Sequence, residues 1–192
     1  MNLKLNRDWY SVVIYPQAKV IDEIAVMKDK FAAKIGWFAS RNSKAHITVV
    51  VFMADQYELN FYIEQIEEFC YTQKQQEVVF DQLSLSKFSR AIVLLPNDLS
   101  KAYLTDLLKR LRKQLRTSQT INGSNAHISI GRELSSAQIE LAENLYDQVS
   151  LKFNCDTVAI RKFNETKRQF EVIKTFKFLE NPLIDTQYLL FN

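Results

Sequence analysis

A weak internal duplication limits the folds open to this chain more than any other pattern in it. Residues 11–16 and 91–96 each read as a buried strand closed by a proline, and the two prolines lie 80 positions apart. Each strand precedes an amphipathic stretch whose apolar residues recur at helical spacing. A short apolar strand with a histidine follows in both copies, and His46 and His127 lie 81 positions apart. The nearly constant spacing predicts two similar structural units.

The later part of each copy repeats the same order of elements. Helices are predicted over residues 56–73 and 136–149, each introduced by a capping-box pattern in which Asp or Ser is followed three positions later by Glu or Gln. Residues 78–85 and 151–160 are rich in strand-forming side chains, and a last strand is predicted over residues 169–179. The order strand, helix, strand, helix, strand therefore occurs twice.

These elements predict a single α+β domain over residues 1–192, made of duplicated halves at approximately 8–88 and 89–180. Helices that connect neighbouring strands cover one face of a sheet, so the other face is left to meet its counterpart. We therefore expect a bilobal fold in which two antiparallel-rich sheets face a central cleft and the helices lie on the outside.

The composition excludes several functional classes. The three glycines form no Gly-rich phosphate loop, which argues against dinucleotide-binding and P-loop folds. The 25 basic and 22 acidic residues nearly balance, which argues against a strong polyelectrolyte. Cys70 and Cys155 belong to no ligand cluster and are expected to be reduced core residues. Because no long apolar segment suggests a signal or a membrane anchor, we expect a cytoplasmic protein without membrane contact. The sequence does not determine the oligomeric state, for which a monomer is expected.

Both histidines of the chain begin the pattern His, apolar, Ser or Thr, apolar. Two such matches arise by chance with a probability on the order of one in a thousand, given how common the residue types are. The two-residue period of a strand sends the histidine and the hydroxyl two positions later to the same face. If a two-fold axis relates the lobes, these side chains converge in the cleft. The candidate catalytic residues are therefore His46, Thr48, His127 and Ser129.

These side chains predict acid–base chemistry on a phosphate ester. Imidazole titrates near pH ~6.5, so one histidine can accept a proton while the other donates one. The hydroxyls can donate hydrogen bonds to the nonbridging phosphate oxygens. Two alternatives stay open: the histidines are structural, or they bind zinc, for which two histidines without nearby Cys or an HExxH pattern supply too few ligands. We expect neither a metal nor a cofactor.

The tetrapeptides HITV at residues 46–49 and HISI at residues 127–130 resemble the paired signatures of the 2H phosphoesterase superfamily. Within it, the chain is most similar to the bacterial 2',5' RNA ligase-like proteins, which act as RNA 2',3'-cyclic phosphodiesterases. The resemblance covers most of the chain and implies a bilobal fold with the motifs facing each other. It also implies metal-independent opening of a 2',3'-cyclic phosphate to a 2'-phosphate, with one histidine as base and the other as acid.

Three further residues are candidates for substrate binding: Arg132, Phe52 and Tyr15. Arg132 follows the second histidine by five positions, where members of the RNA ligase-like branch often carry an arginine, and is either a phosphate contact or an exposed charge at a strand end. Phe52, Tyr15 and the pair at residues 37–38 offer rings for base stacking, although aromatic side chains beside strands more often belong to the core.

Two basic clusters are weaker candidates for substrate binding. Residues 109–116 carry five basic side chains beside leucines and are interpreted as a solvated helix face, with a groove role as the second interpretation. A second cluster flanks a predicted turn near Asn164, and its members either line the cleft or are solvated: Arg161, Lys162, Lys167 and Arg168.

The sequence therefore predicts a phosphodiesterase whose partner is an RNA terminus or a small cyclic nucleotide phosphate. Activity as a 2',5' RNA ligase stays open. The alternatives are a non-catalytic RNA-binding module of the same fold and a phosphoesterase for a non-RNA cyclic nucleotide. Which histidine is the base cannot be read from the sequence.

Overall fold

The structure, a computed structural model, describes residues 6–117, 120–123, 125–143, 145 and 149–182. The elements along the chain are β1 (Asp8–Ile14), α1 (Ala18–Ile35), β2 (Ile47–Ala54), α2 (Gln56–Thr72), β3 (Gln76–Ser86), β4 (Ala91–Pro96), α3 (Asp98–Leu115), β5 (Ile121–Asn122), β6 (Ile128–Gly131), α4 (Ser136–Ala142), β7 (Leu151–Cys155), β8 (Thr157–Asn164) and β9 (Gln169–Lys177). The helix predicted over residues 136–149 includes residues 144 and 146–148, which lie outside the described residues.

The strands form two sheets, and every strand pair in the described residues is antiparallel. Sheet A has the order β5-β2-β1-β8-β9, and sheet B has the order β6-β4-β3-β7. The two orders correspond: the histidine strand (β2 or β6) is followed by the first strand of its repeat (β1 or β4), then by β8 or β3. The predicted bilobal, duplicated α+β fold is confirmed.

The two lobes do not coincide with the halves at 8–88 and 89–180. β3 ends the first half but pairs with β4 in sheet B through a short turn, and β8 of the second half pairs with β1 in sheet A. The segment predicted at 151–160 is two strands, because the chain leaves sheet B at Asp156 and enters sheet A. Strands joined by a tight turn pair with each other wherever the repeat boundary falls. Each lobe therefore contains strands from both halves.

The helices cover one face of each sheet. α1 and α4 pack together, with α1 against β6 and β7, while α2 and α3 pack against each other and against β2. The apolar stripe of α3 is fully buried, as its helical spacing predicts. Capping boxes at Asp55 and Ser135 begin α2 and α4, and each cap side chain accepts a hydrogen bond from the backbone N–H three residues later. The opposite face of each sheet carries no helix within the described residues and is called the uncovered face below, although several of its side chains are buried.

Both cysteines are free and buried, as predicted. Burial raises the pKa of Cys70 and of Cys155 to about 12, so both thiols stay protonated at neutral pH. Among the described helices, none is long and apolar enough to cross a lipid bilayer.

Candidate active site

The uncovered face of each sheet carries one histidine motif. In β2, Ile47 and Val49 are fully buried among the helix-packed residues, and Thr48 between them is partly exposed on the other face. Residues 128–130 of β6 repeat this arrangement, with the hydroxyl of Ser129 on the uncovered side. The alternation therefore turns the two hydroxyl residues away from the helices.

The first histidine strand has a β-bulge directly after its hydroxyl residue. Thr48 pairs with Val13, whereas Val50 pairs with Val12, so Val49 has no partner on β1. A bulge of this kind bends a strand and changes the direction of the side chains that follow, and bulges are common beside active sites.

The second histidine strand has the same bulge at the equivalent position. Ser129 pairs with Val93, whereas Gly131 pairs with Ile92, so Ile130 has no partner on β4. The duplication therefore extends to an irregularity of the backbone, and that irregularity lies next to the motif in both lobes.

Each imidazole is anchored by the backbone two residues before it. Nδ1 of His46 lies 2.7 Å from the carbonyl oxygen of Lys44, and Nδ1 of His127 lies 2.8 Å from that of Asn125. Because a carbonyl oxygen only accepts hydrogen bonds, the proton of the neutral ring is assigned to Nδ1 in both cases. Nε2 of each ring is left to exchange a proton with a ligand.

Three cations act on His46, and they come from both lobes: Arg161 of β8, Lys28 of α1 and Arg132, which follows β6. Burial, and then these positive charges, hold the pKa of His46 well below its ordinary value of 6.5, although the bond to Lys44 acts in the opposite direction. His46 is therefore neutral at pH 7. Arg132 follows β6 of sheet B and His46 precedes β2 of sheet A, so a charge attached to one sheet acts on the histidine attached to the other.

No ion pair within the described part of the chain includes any of these three cations. Lys28 is 2% exposed, and its Nζ donates hydrogen bonds to the carbonyl oxygens of Ser40 and Ser43 at 3.1 and 2.6 Å. Burial, followed by the charge of Arg132, lowers the pKa of Lys28 to about 8. The local field is positive, which favours an anionic ligand.

Each histidine strand is braced by the segment that leads into the other motif. The carbonyl of Val49 accepts hydrogen bonds from the Gly123 N–H at 3.3 Å and from Nη1 of Arg112 at 3.4 Å. The carbonyl of Ile130 accepts a hydrogen bond from Oγ of Ser40 at 3.0 Å. Gly123 lies on the approach to the second motif and Ser40 on the approach to the first. These hydrogen bonds therefore link each motif strand to the segment that leads into the other motif.

Gly123 permits the closest of these approaches. A Cβ atom at this position would lie 2.2 Å from the carbonyl oxygen of Thr48, far inside van der Waals contact. Any side chain here would force the approach segment away from β2.

The structure corrects the expectation for Phe52. This ring is 0% exposed and packs edge-on against Tyr62 of α2, with 4.9 Å between ring centroids. Uninterrupted alternation would put Phe52 on the same face as His46, but the bulge at Val49 shifts the alternation by one residue. Phe52 is a core residue and cannot stack on a base.

Neither of the other two substrate-binding candidates is a core residue. Arg132 is exposed and acts on His46 as described above. Tyr15 is partly buried at the end of β1, where its N–H donates to the carbonyl of Thr157 at 2.9 Å, and its phenol interacts electrostatically with Arg161. In the remaining aromatic pair, Trp37 is exposed and Phe38 belongs to the core.

The basic residues at 109–116 do not act as one surface. Arg112 turns inward to the brace, while Arg110, Lys113 and Arg116 line a groove of about 1380 Å³ between α2, α3 and β9. This groove lies on the helix-covered side of sheet A, away from the histidines.

The second basic cluster is also divided. Lys162 and Lys167 form ion pairs with Asp8 and Glu171, and Arg168 is exposed in the turn. Arg161 alone is buried, on the uncovered face of sheet A.

Sequence reasoning missed Lys28 and Ser40. Lys28 had a detectable signal, because it occupies the apolar stripe of α1 between Ile24 and Phe31 at helical spacing. A lysine there must lead its ammonium group to buried acceptors. Ser40 had no comparable signal. Among the described residues, no three His, Cys, Asp or Glu side chains come together to hold a metal ion.

Comparisons with known proteins identify the fold and the family of this chain. The family model of the 2'-5' RNA ligase superfamily matches residues 16–167. E. coli LigT in complex with 3'-AMP has a TM-score of 0.70 at 13% identity, over 90% of this chain and 99% of that chain. TT0787 of Thermus thermophilus has a TM-score of 0.62 at 11% identity, over 91% and 100%. Usb1 of Kluyveromyces marxianus has a TM-score of 0.50 at 14% identity, over 90% and 98%.

At these identities the solved structures establish a shared fold. No curated protein sequence matches this chain. The family model covers well over half of the residues, including both histidine motifs. The chain therefore belongs to the 2'-5' RNA ligase superfamily.

Proposed function

We propose that this protein is a phosphodiesterase that opens the 2',3'-cyclic phosphate of an RNA end or of a small nucleotide to a 2'-phosphate, with two histidines and without a metal ion. The observation that carries the proposal is the pair of equivalent imidazoles, each anchored at Nδ1 and, within the described residues, without a hydrogen-bond partner at Nε2. Membership of the superfamily supports a phosphoesterase function, and the LigT complex with 3'-AMP supports a nucleotide as the ligand.

His46 is the base in this mechanism. Burial and the positive surroundings keep its ring neutral, so Nε2 has a lone pair available at pH 7. As the oxygen of a water molecule attacks phosphorus, Nε2 takes a proton from that water. A protonated ring could not perform this step.

His127 is the acid. The bond between phosphorus and the ribose O3' breaks as the water oxygen adds, and Nε2 of a protonated His127 gives its proton to O3'. The products are a 2'-phosphate and a free 3'-hydroxyl. One proton is taken from water and one is donated to the sugar, so the cycle closes when solvent returns the two rings to their starting states.

The hydroxyls and Arg132 bind the phosphate oxygens. Thr48 and Ser129 present hydroxyls on the uncovered faces of β2 and β6, where they can donate to oxygens that gain negative charge in the transition state. Arg132 adds a positive charge from the sheet B side.

The test is hydrolysis of 2',3'-cyclic nucleotides by the His46→Ala and His127→Ala variants. Removing a general acid or base typically lowers the rate by about 10²- to 10⁴-fold. The hydrolysis rate of each variant should therefore fall by at least that factor. Activity of the unmodified protein should survive EDTA. Thermal unfolding of each variant checks that the fold is intact.

Full activity in either folded variant would contradict the two-histidine mechanism, and loss of activity with EDTA would contradict metal independence. Parallel assays with cyclic mononucleotides, RNA ending in a cyclic phosphate and 2',5'-linked oligonucleotides identify the substrate class. Unchanged RNA binding by the double variant, with no turnover by the unmodified protein, would instead favour a binding module.

A further inference from the structure

Arg161 is a buried cation without an acidic partner among the described residues. The residue is 5% exposed, and one guanidinium nitrogen, Nη2, donates to Oγ of Ser11 at 3.0 Å. Its Nε is buried and has no hydrogen-bond partner in the part of the chain that the structure describes. A charge in this position costs folding free energy unless further groups satisfy it. The guanidinium therefore has unused capacity to donate hydrogen bonds.

The side chain lies on the catalytic face of sheet A. In β8, Val158 and Ile160 belong to the helix-packed core, and Arg161 takes the opposite side. Its strand neighbour Ser11 is likewise buried outside that core. Of the charged groups that act on His46, Arg161 has the largest effect.

In the strand register, Thr48 pairs with Val13, and Val13 pairs with Ala159, which lies two residues before Arg161 on the same face of β8. The guanidinium therefore extends from the row of side chains next to the first motif.

No acidic group in the described surroundings neutralises this charge. The ring of Phe170 lies 5.4 Å from Cζ, which supplies a cation–π contact. From the other lobe, the positive charge of Arg132 repels that of Arg161. Two guanidinium groups that repel each other across a cleft form a binding site for an anion placed between them.

Sheet B has no equivalent of this arginine. Ala91 stands 80 positions after Ser11, and its strand partner is Ser86 where sheet A has Arg161. The duplication supplies two histidines and two hydroxyls but, within the described strands, only one buried guanidinium. The phosphate is therefore expected closer to sheet A, on the side of His46.

We propose that Arg161 is the main phosphate-binding residue of the site and that its guanidinium donates hydrogen bonds to the nonbridging oxygens of the substrate. This inference deepens the proposed function and rests on it for the identity of the phosphate ester. Anion binding itself can be measured with inorganic phosphate, independently of any reaction.

The experiment compares Arg161→Met with Lys162→Gln. Methionine keeps much of the volume and removes the charge, whereas Lys162 is the next residue on the same strand, partly exposed and paired with Asp8. Inorganic phosphate should raise the melting temperature of the unmodified protein and of the Lys162 variant but not that of Arg161→Met. For cyclic nucleotide hydrolysis, kcat/KM should fall about 100-fold in Arg161→Met, as for loss of one oxyanion donor, and stay unchanged in the control.

A second readout separates ligand binding from a structural role. In phosphate-free buffer, Arg161→Met should melt no lower than the unmodified protein, because an unpaired buried charge has been removed. A full phosphate response in a folded variant would overturn the proposal, and so would melting temperatures far below that of the unmodified protein in both Arg161→Met and Arg161→Gln. If the methionine variant does not fold, Arg161→Gln keeps a donor for Ser11 without the charge, and the same comparison applies.

Failure of this proposal can be distinguished from failure of the proposed function. A phosphate response that depends on Arg161, in a protein that hydrolyses no cyclic phosphate, supports the anion site and removes the enzyme assignment. If Arg161→Met has normal kcat and KM, then Arg161 does not bind the phosphate, and the two-histidine mechanism is unaffected.

Discussion

At the scale of single residues, two imidazoles with the same backbone anchor differ in their surroundings. Lys28, Arg132 and Arg161 all act on His46 and favour its neutral form. None of the three is neutralised by an acidic side chain within the described residues. Their common effect is to prepare a base and, at the same point, to attract the phosphate on which that base acts.

The pH dependence of the reaction follows from this field. A lowered pKa keeps His46 neutral below pH 6.5, so kcat/KM for a cyclic nucleotide should stay high at pH 6.5 and decline only at lower pH. Arg161→Met removes the cation that has the largest effect on His46. The pKa of His46 should therefore rise, and the acidic limb of the pH–rate profile should move up toward pH 6.5. A pH–rate profile of both proteins measures this.

The Lys162→Gln variant is the control for the profile, since this lysine pairs with Asp8. Its acidic limb should coincide with that of the unmodified protein. An acidic limb at or above pH 6.5 in the unmodified protein would mean that His46 is not the neutral base.

The sequence identified the residue types of the site, but it predicted the orientation of their side chains only in part. The two-residue period of a strand correctly predicted that Thr48 points away from the helices, because no irregularity separates it from His46. The same rule failed for Phe52, beyond the bulge. A bulge depends on how two strands pair, and a single strand's sequence does not contain that information.

At the scale of elements, hydrogen bonds between the two halves of the site keep the motifs in a fixed relation. In each motif strand the carbonyl of the bulged residue, Val49 or Ile130, accepts a hydrogen bond from the approach to the opposite motif. A buried carbonyl without a donor is costly, so the approach segments are held in place by the strands that they brace. Movement of one motif is therefore resisted by the other.

Ser40→Ala tests this brace. The variant leaves the Ile130 carbonyl without its side-chain donor, which should lower the free energy of unfolding by about 1–3 kcal/mol. Because the second motif loses its support while the substrate-binding charges remain, kcat should fall more than KM rises. Chemical denaturation and steady-state kinetics give the two quantities.

Ser43→Ala is the matched control for this prediction. Both serines offer a backbone carbonyl to Lys28, but only the hydroxyl of Ser40 reaches β6. The control should therefore retain nearly full stability and activity. Equal losses in the two variants would assign the effect to the loop that contains them and not to the brace.

At the scale of the whole molecule, the duplication and the lobes are different divisions of the chain. The repeat pattern predicted the elements and their order, because it is carried by local periodicity. Strand neighbours are set by long-range packing, so the exchange of β3 and β8 between the lobes could not be predicted. The segment at 151–160 illustrates this: it reads as one strand-rich run, yet the chain passes from one sheet to the other at Asp156.

The exchange predicts that neither half folds alone. A fragment of residues 1–88 contains β1 and β2 but lacks β8 and β9 of the same sheet, and its β3 has lost both neighbours. A fragment of residues 89–192 lacks β1 from sheet A and β3 from sheet B. Each fragment should show no cooperative thermal unfolding by circular dichroism. The cut falls in the exposed turn between β3 and β4 at Phe88, so it removes no strand. Refolding the two fragments together should therefore restore both a cooperative transition and phosphate binding. A cooperative transition in either fragment alone would mean that the lobes do not depend on the exchanged strands.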